Sequence, residues 1–383
     1  MKVLLLHKAL VNGAYQKKAE ALAALPGIDL TVIVPPSWQE ARSGVQPLER
    51  AHTAGYELIV APIWFNGHHH THRYPTLGAI VRRVRPDIFH VDEEPFNLAT
   101  AEAFFWAERV RARSLFVTWA TVYRNYPPPF SLFERYTHRH AAAAIAGNTD
   151  ALAVLARRGF TGPTAIVPLA IDPVLYPPRE EHKRPGPFTI GFLGRLVREK
   201  GAHILLDAAA TLRGDWRIVI VGGGDQEGAL REQAARRGIA ARVEFVPQVP
   251  SSAVPGWLRR LDVLAVPSLT IPTWKEQFGR VIIEAMAARV AVVGSDSGEI
   301  PRVIADAGLV TPEGDAVALA AALQGLLDDE PRRRALAEAG RARALAHYTW
   351  GHVARQYQEL YEVMLSGREQ SAVGSRQSAE RSP

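Results

Sequence analysis

The chain has 383 residues, more than one ordinary hydrophobic core holds, so two domains are expected. Apolar residues at 47% and charged residues at 22% make a globular balance, and the absence of cysteine excludes a disulfide framework and a zinc–thiolate site. Lys and Arg exceed Asp and Glu by six, and the excess is uneven: residues 1–170 carry 18 basic against 13 acidic side chains, the remainder 27 against 26. No nucleic-acid module and no basic run with interleaved aromatics appears, so nucleic acid is not an expected partner. No apolar run approaches the ~20 residues of a bilayer span. The opening residues lead into a strand rather than a signal peptide, and the cytoplasm is the expected compartment.

In chain order, residues 2–6 read as a buried strand, 7–13 as its loop, 14–25 as a helix and 30–34 as a second strand. Further strands are expected at 56–61, 87–91, 115–118, 142–146 and 165–167, with helices at 76–85 and 98–113. This alternation predicts a doubly wound parallel sheet over residues 1–170. Residues 171–187 hold five prolines without periodicity and read as a linker. A second alternating series runs over 188–348, with strands at 189–193, 217–221, 243–245, 263–266, 290–293 and 309–310. An amphipathic helix is expected within 349–365, and 366–383 has the composition of a disordered tail. The expected class is thus α/β, with two Rossmann-like domains.

Chemistry concentrates in residues 262–304. An apolar strand ends at Pro267 and Ser268, a polar loop follows, and a helix is expected over 279–288. Glu276 then falls at the loop-to-helix junction beyond the strand's carboxyl end, where open α/β sheets bind ligands, and Glu284 about two turns into the helix. The backbone N–H groups of Phe278, Gly279 and Arg280 at the helix start favour an anion. The segment 191–201, GFLGRLVREKG, joins a strand to a helix through Arg195 and Lys200, a planar fork and a compact charge suited to a diphosphate without a metal.

The run EQFGRVIIEAMA (276–287), followed by SGEIP, resembles the paired-glutamate signature of the GT4, glycogen-synthase-like, retaining glycosyltransferases. Residues 191–201 resemble that family's G-R-L-x-x-E-K-G segment. The resemblance implies a GT-B fold, two Rossmann-like domains facing a central cleft, with the terminal helix crossing back to the first domain. It implies a metal-independent transfer of a hexose-type sugar from a UDP- or GDP-sugar to a glycan or lipid-linked acceptor, as in polysaccharide biosynthesis, with no cofactor. It implies catalytic roles for Glu276, Arg195 and Lys200, an orienting one for Glu199, and a nucleotide-sugar site at Glu284, Phe278 and Gly279. The resemblance also implies that Gly223, in the turn 222–224, lies beside the nucleotide and that Asn12 and Gly13 approach the donor phosphates. The chain departs from the pattern at Pro247 in the base-binding loop and at residues 119–121, where many relatives carry a histidine. No D-x-D motif of the metal-dependent type is present.

Asp92, Glu93 and Glu94 follow a strand at the same kind of edge and either bind acceptor hydroxyls or form a solvated loop. His68 and His72, in GHHHTH, would share a metal only on a helix, and a loop near the acceptor is the better reading. The basic excess of the first half, including Lys17, Lys18, Arg82 and Arg83, suits peripheral contact with an anionic membrane, on the inner face for a cytoplasmic protein. Rival readings are a sugar-nucleotide epimerase or phosphorylase of the same architecture and a non-catalytic binding module.

Overall fold

A computed structural model describes residues 1–40, 44–178 and 186–366. They form two compact units, residues 1–168 with 350–366, and Leu169–Thr349. Residues 179–185 of the expected linker, and the expected tail apart from Ser366, lie outside the described residues.

The first unit contains strands β1 (Lys2–Leu6), β2 (Asp29–Val34), β3 (Ser37–Glu40), β4 (Gly44–Pro47), β5 (Glu57–Val60), β6 (Ile88–Val91), β7 (Arg113–Thr118), β8 (Ala143–Ala146) and β9 (Thr164–Ile166). Seven of them form a parallel sheet in the order β5-β2-β1-β6-β7-β8-β9, so the strand order reverses between β1 and β6. Its central strands are apolar on both faces because helices cover both, which is why they read as continuous Val, Leu and Ala runs. The hairpin β3–β4 is a separate antiparallel pair that the sequence reading missed. Its strands are short and polar, and only Trp38, 2% exposed, marks a buried face.

Residues 14–25 are not one helix. Two 3₁₀ turns, Lys8–Val11 and Gly13–Gln16, precede a helix at Lys17–Ala23. Asn12 accepts from the Ala14 N–H, and buried Gln16 donates to the carbonyls of Leu10 and Glu49 while accepting from the N–H groups of Ala51 and His52. These local bonds compete with the helical ladder. The helix expected to reach residue 113 spans Leu98–Arg109, since Arg111 turns to φ 61° and Arg113 opens β7.

The second unit contains β10 (Phe188–Leu193), β11 (Trp216–Val221), β12 (Val243–Val246), β13 (Val263–Val266), β14 (Ala291–Ser295) and β15 (Leu309–Thr311). All are parallel, in the order β12-β11-β10-β13-β14-β15, with the reversal between β10 and β13. Described residues before β10 pack as part of this unit: the Ile171 N–H donates to the Tyr348 carbonyl at 2.8 Å, and Asp172 caps the turn Pro173–Leu175. The terminal helix Trp350–Ser366 belongs to the first unit. It buries Val353, Tyr357, Leu360, Tyr361 and Met364, and the Tyr361 hydroxyl lies 2.6 Å from His90 Nδ1 on β6.

Candidate active site

Chain reversal in the second unit leaves the loops after β10 and β13 side by side at the strands' carboxyl ends, where an open α/β sheet has its crevice. The first loop delivers Lys200 and the second Glu276. Lys200 Nζ lies 2.6 Å from Glu276 Oε2, and the Ser268 hydroxyl donates to the same oxygen at 2.8 Å. The pair is sheltered, with side-chain exposures of 20% for Lys200 and 7% for Glu276. The indole of Trp274 lies 4.9 Å, ring centroid to Nζ, from the Lys200 ammonium.

Close backbone approaches hold these loops. Gly201 sits at φ 73° with Pro267 O where a Cβ would be, 1.8 Å from it, so only glycine lets the two loops meet. The turn of SGEIP presses on the other side of the site: Gly298 at φ 57° abuts Glu276 O, which accepts from the Glu299 N–H at 3.1 Å. Glu276 is therefore fixed through its carbonyl as well as its carboxylate. Gly222 and Gly224 serve a similar purpose, since a Cβ on either would strike the carbonyl of Gly194 or Leu196, while Gly223 is open on that side.

The expected site residues fall into distinct surroundings. Arg195, on the loop after β10, is exposed and makes no ion pair among the described residues. The helix after the second loop begins at Arg280, so Glu284 lies about one turn in rather than two; Gly279, at φ 72°, is its start, and no side chain caps it. Phe278 is 3% exposed and packs edge-on against Tyr348, so only its main chain is available to a ligand. Glu284 is 8% exposed with Oε1 2.9 Å from Arg280 Nε. Burial raises its carboxyl, opposed by Arg280 and by a hydrogen bond from Tyr176. Tyr176, Ser268 and Trp274 were not singled out in the sequence. Tyr176 lay inside an apparent linker, and serine after a strand is too common a signal.

In the first unit the predicted residues are each engaged with other groups of the same unit. The Gly13 N–H donates to Glu49 Oε2 at 2.7 Å, and a Cβ there would strike Ala51, so the packing explains this glycine. Asn12 caps the following turn. The three carboxylates after β6 do not act together, nor are they a solvated loop. Asp92 pairs with Lys18 and lies 3.2 Å from His7 Nδ1; burial alone would raise its carboxyl, yet His7 and Lys18 hold it well below the usual range. Glu93 pairs with Lys8 and sits near His72, which bring it down to about 2 against the pull of burial. Glu94 accepts from the Thr118 hydroxyl at 2.7 Å and the Trp119 N–H at 2.8 Å, and burial pushes it up to about 7. Lys18 is accordingly no surface cation: it is 6% exposed, paired with Asp92 and set over the Tyr357 ring. His72 is buried against Trp38 and Tyr74. Among the described residues no group of His, Asp and Glu is placed to hold a metal ion, and no helix is long and apolar enough to cross a membrane.

Comparison with known proteins fits this geometry. The family model described as glycosyl transferases group 1 matches residues 178–343. A phosphatidyl-myo-inositol mannosyltransferase of Mycobacterium leprae is 37% identical over 193 residues, 49% of this chain and 50% of that one. A D-inositol 3-phosphate glycosyltransferase of Corynebacterium urealyticum is 37% identical over 187 residues, 46% of this chain and 43% of that one. The chain thus spans about half the length of the curated relatives it matches. Among solved structures, a sucrose-phosphate synthase from Thermosynechococcus elongatus superposes with a TM-score of 0.70 at 20% identity over 96% of this chain and 100% of that one. An Anabaena protein, HepE, solved with UDP, gives 0.72 at 20% identity over the same shares. These likenesses establish the GT-B type of fold, two Rossmann-like parallel sheets. Residues 178–343, which contain Arg195, Lys200, Glu276 and Glu284, are thus similar to the glycosyl transferases group 1 family.

Proposed function

We propose that the chain is a retaining, metal-independent glycosyltransferase that moves a hexosyl group from a UDP- or GDP-sugar to a lipid-linked or glycan acceptor. The observation that carries this reading is the Lys200–Glu276 pair at the strand-order reversal of the second sheet. An ammonium and a carboxylate paired there are the two groups needed to receive a sugar diphosphate, one for the phosphates and one for sugar hydroxyls. As the bond from C1 to the diphosphate oxygen breaks, negative charge builds on that oxygen, and Lys200 and Arg195 stabilise it. The acceptor oxygen bonds to C1 from the same face, and its proton passes to the leaving diphosphate. Glu276 orients the sugar. Glu284, beside the uncapped helix start, takes the ribose, and the backbone at Phe278 and Gly279 favours the phosphate charge. The names of the curated relatives point to an acceptor bearing an inositol phosphate or a lipid. No cofactor is required by this route.

A thermal-shift panel of UDP, GDP, ADP and their sugars tests the reading, followed by donor turnover with and without EDTA. A nucleotide at a hundredfold over its dissociation constant adds about 2.7 kcal/mol of apparent stability. Stabilisation by none of them, with no donor hydrolysis, makes the chain a non-catalytic module. Turnover lost to EDTA and restored by Mn²⁺ removes the metal-independent route.

A cytoplasmic setting with peripheral contact to an anionic membrane belongs to the same reading. It rests on Arg109 set 3.3 Å from the Phe105 ring centroid, Arg82 set 5.0 Å from that of Trp106, and Phe105 39% exposed. Sedimentation with anionic but not zwitterionic vesicles, lost in Arg82→Ser/Arg109→Ser, is the expected result.

A further inference from the structure

Trp274 lies two residues before Glu276, and the roles above leave it unassigned. A two-residue turn pins its backbone: the Ile271 N–H donates to Trp274 O at 2.9 Å and the Trp274 N–H to Ile271 O at 3.1 Å, with Pro272 and Thr273 exposed at the tip. The half-buried indole sits 4.9 Å from Lys200 Nζ, while that ammonium is 2.6 Å from Glu276 Oε2. One cation thus has two partners, a carboxylate and an aromatic face.

We infer that Trp274 is a positioning residue for Lys200, holding the ammonium in place for the diphosphate once Glu276 turns to the donor sugar. The inference rests on the reading of this site as a nucleotide-sugar site. The Glu276 carboxylate and an incoming diphosphate compete for a single ammonium, so donor binding must break the pair seen here. An indole attracts a cation through its quadrupole without carrying charge of its own, so it does not repel the phosphates. That attraction grows as a ligand excludes water. A lysine stem without the ring would also lose more rotamer freedom on binding. The increase in cation–π strength between a wet and a dry site corresponds to about fivefold to tenfold in affinity.

The test is calorimetric titration of UDP and GDP into the wild-type protein, Trp274→Phe, Trp274→Leu, Lys200→Met and Lys200→Met/Trp274→Leu. Trp274→Leu should weaken nucleotide binding about fivefold to tenfold, and Trp274→Phe less, because its ring keeps a quadrupole. In the Lys200→Met background Trp274→Leu should change nothing. Equal affinities of the Phe and Leu variants overturn the inference in favour of plain packing. A Leu effect that persists without Lys200 overturns it in favour of direct stacking on the nucleotide. Should Trp274→Leu melt early, Trp274→Phe against wild type carries the comparison, and equal affinities there overturn the inference. A wild-type protein that binds neither nucleotide overturns the site reading itself, which separates that failure from this one.

Discussion

Replacing Lys200 by Met keeps an apolar stem beneath Trp274 and removes only the ammonium. Glu276, 7% exposed at its side chain, is then left with the Ser268 hydroxyl at 2.8 Å as its partner. Stranding one member of a fully buried pair costs about 3–5 kcal/mol, and the 20% exposure of Lys200 lets water replace part of the loss, so about 2 kcal/mol is expected. For a unit of this size that is a fall of about 4–8 °C in melting temperature. Glu276→Gln in the same chain removes the stranded charge while its amide oxygen still accepts from Ser268. The double variant Lys200→Met/Glu276→Gln should therefore be more stable than Lys200→Met alone, with a coupling energy of about 1–2 kcal/mol between the two positions. Urea unfolding of the wild type, both single variants and the double variant measures this without any substrate. Donor turnover should stay lost in the double variant, since stability and catalysis use the same two groups differently. Additive destabilisation would show that the 2.6 Å pair contributes nothing measurable and would remove the electrostatic basis of the site.

Glu284→Ala should weaken bare nucleotide diphosphate, whereas Glu276→Ala, which frees the Lys200 ammonium, should leave that binding intact or tighter and abolish turnover; equal losses in calorimetry refute this division. Gly201→Ala, with its Cβ placed 1.8 Å from Pro267 O at φ 73°, should cost at least about 2 kcal/mol and displace Lys200. Gly228→Ala, in a helix with open space around it, should be neutral or slightly stabilising, and similar melting temperatures for the two variants would contradict the packing argument. Burial raises Glu94 from 4.5 to about 7, so the folded protein keeps a proton there that the unfolded chain gives up. The stability from this group is present below about pH 4.5 and lost as pH rises through 7, so Glu94→Gln should gain roughly 1–3 kcal/mol on the wild type between pH 5 and 8. Parallel pH–stability curves for the two proteins would refute it.

Much of the molecule is legible in the chain alone, because its strands are buried on both faces. Runs such as Val263–Val266 and Lys2–Leu6 announce themselves by composition, and their alternation with helical segments leaves a parallel sheet as the economical arrangement. The spacing of Glu276 and Glu284, and the arginine and lysine of residues 191–201, are likewise local patterns. What tertiary structure alone decides is which of these groups meet. Lys200 and Glu276 are 76 residues apart and pair only because the strand order reverses between β10 and β13 and because Gly201 lets one loop pass the other. Asp92, Glu93 and Glu94 read as one acidic cluster, yet Lys18, Lys8 and the Trp119 N–H, from three distant elements, draw them into separate tasks. Side-chain type is a property of position in the chain, whereas a charge's partner depends on burial and on the fold around it, and neither is a local quantity.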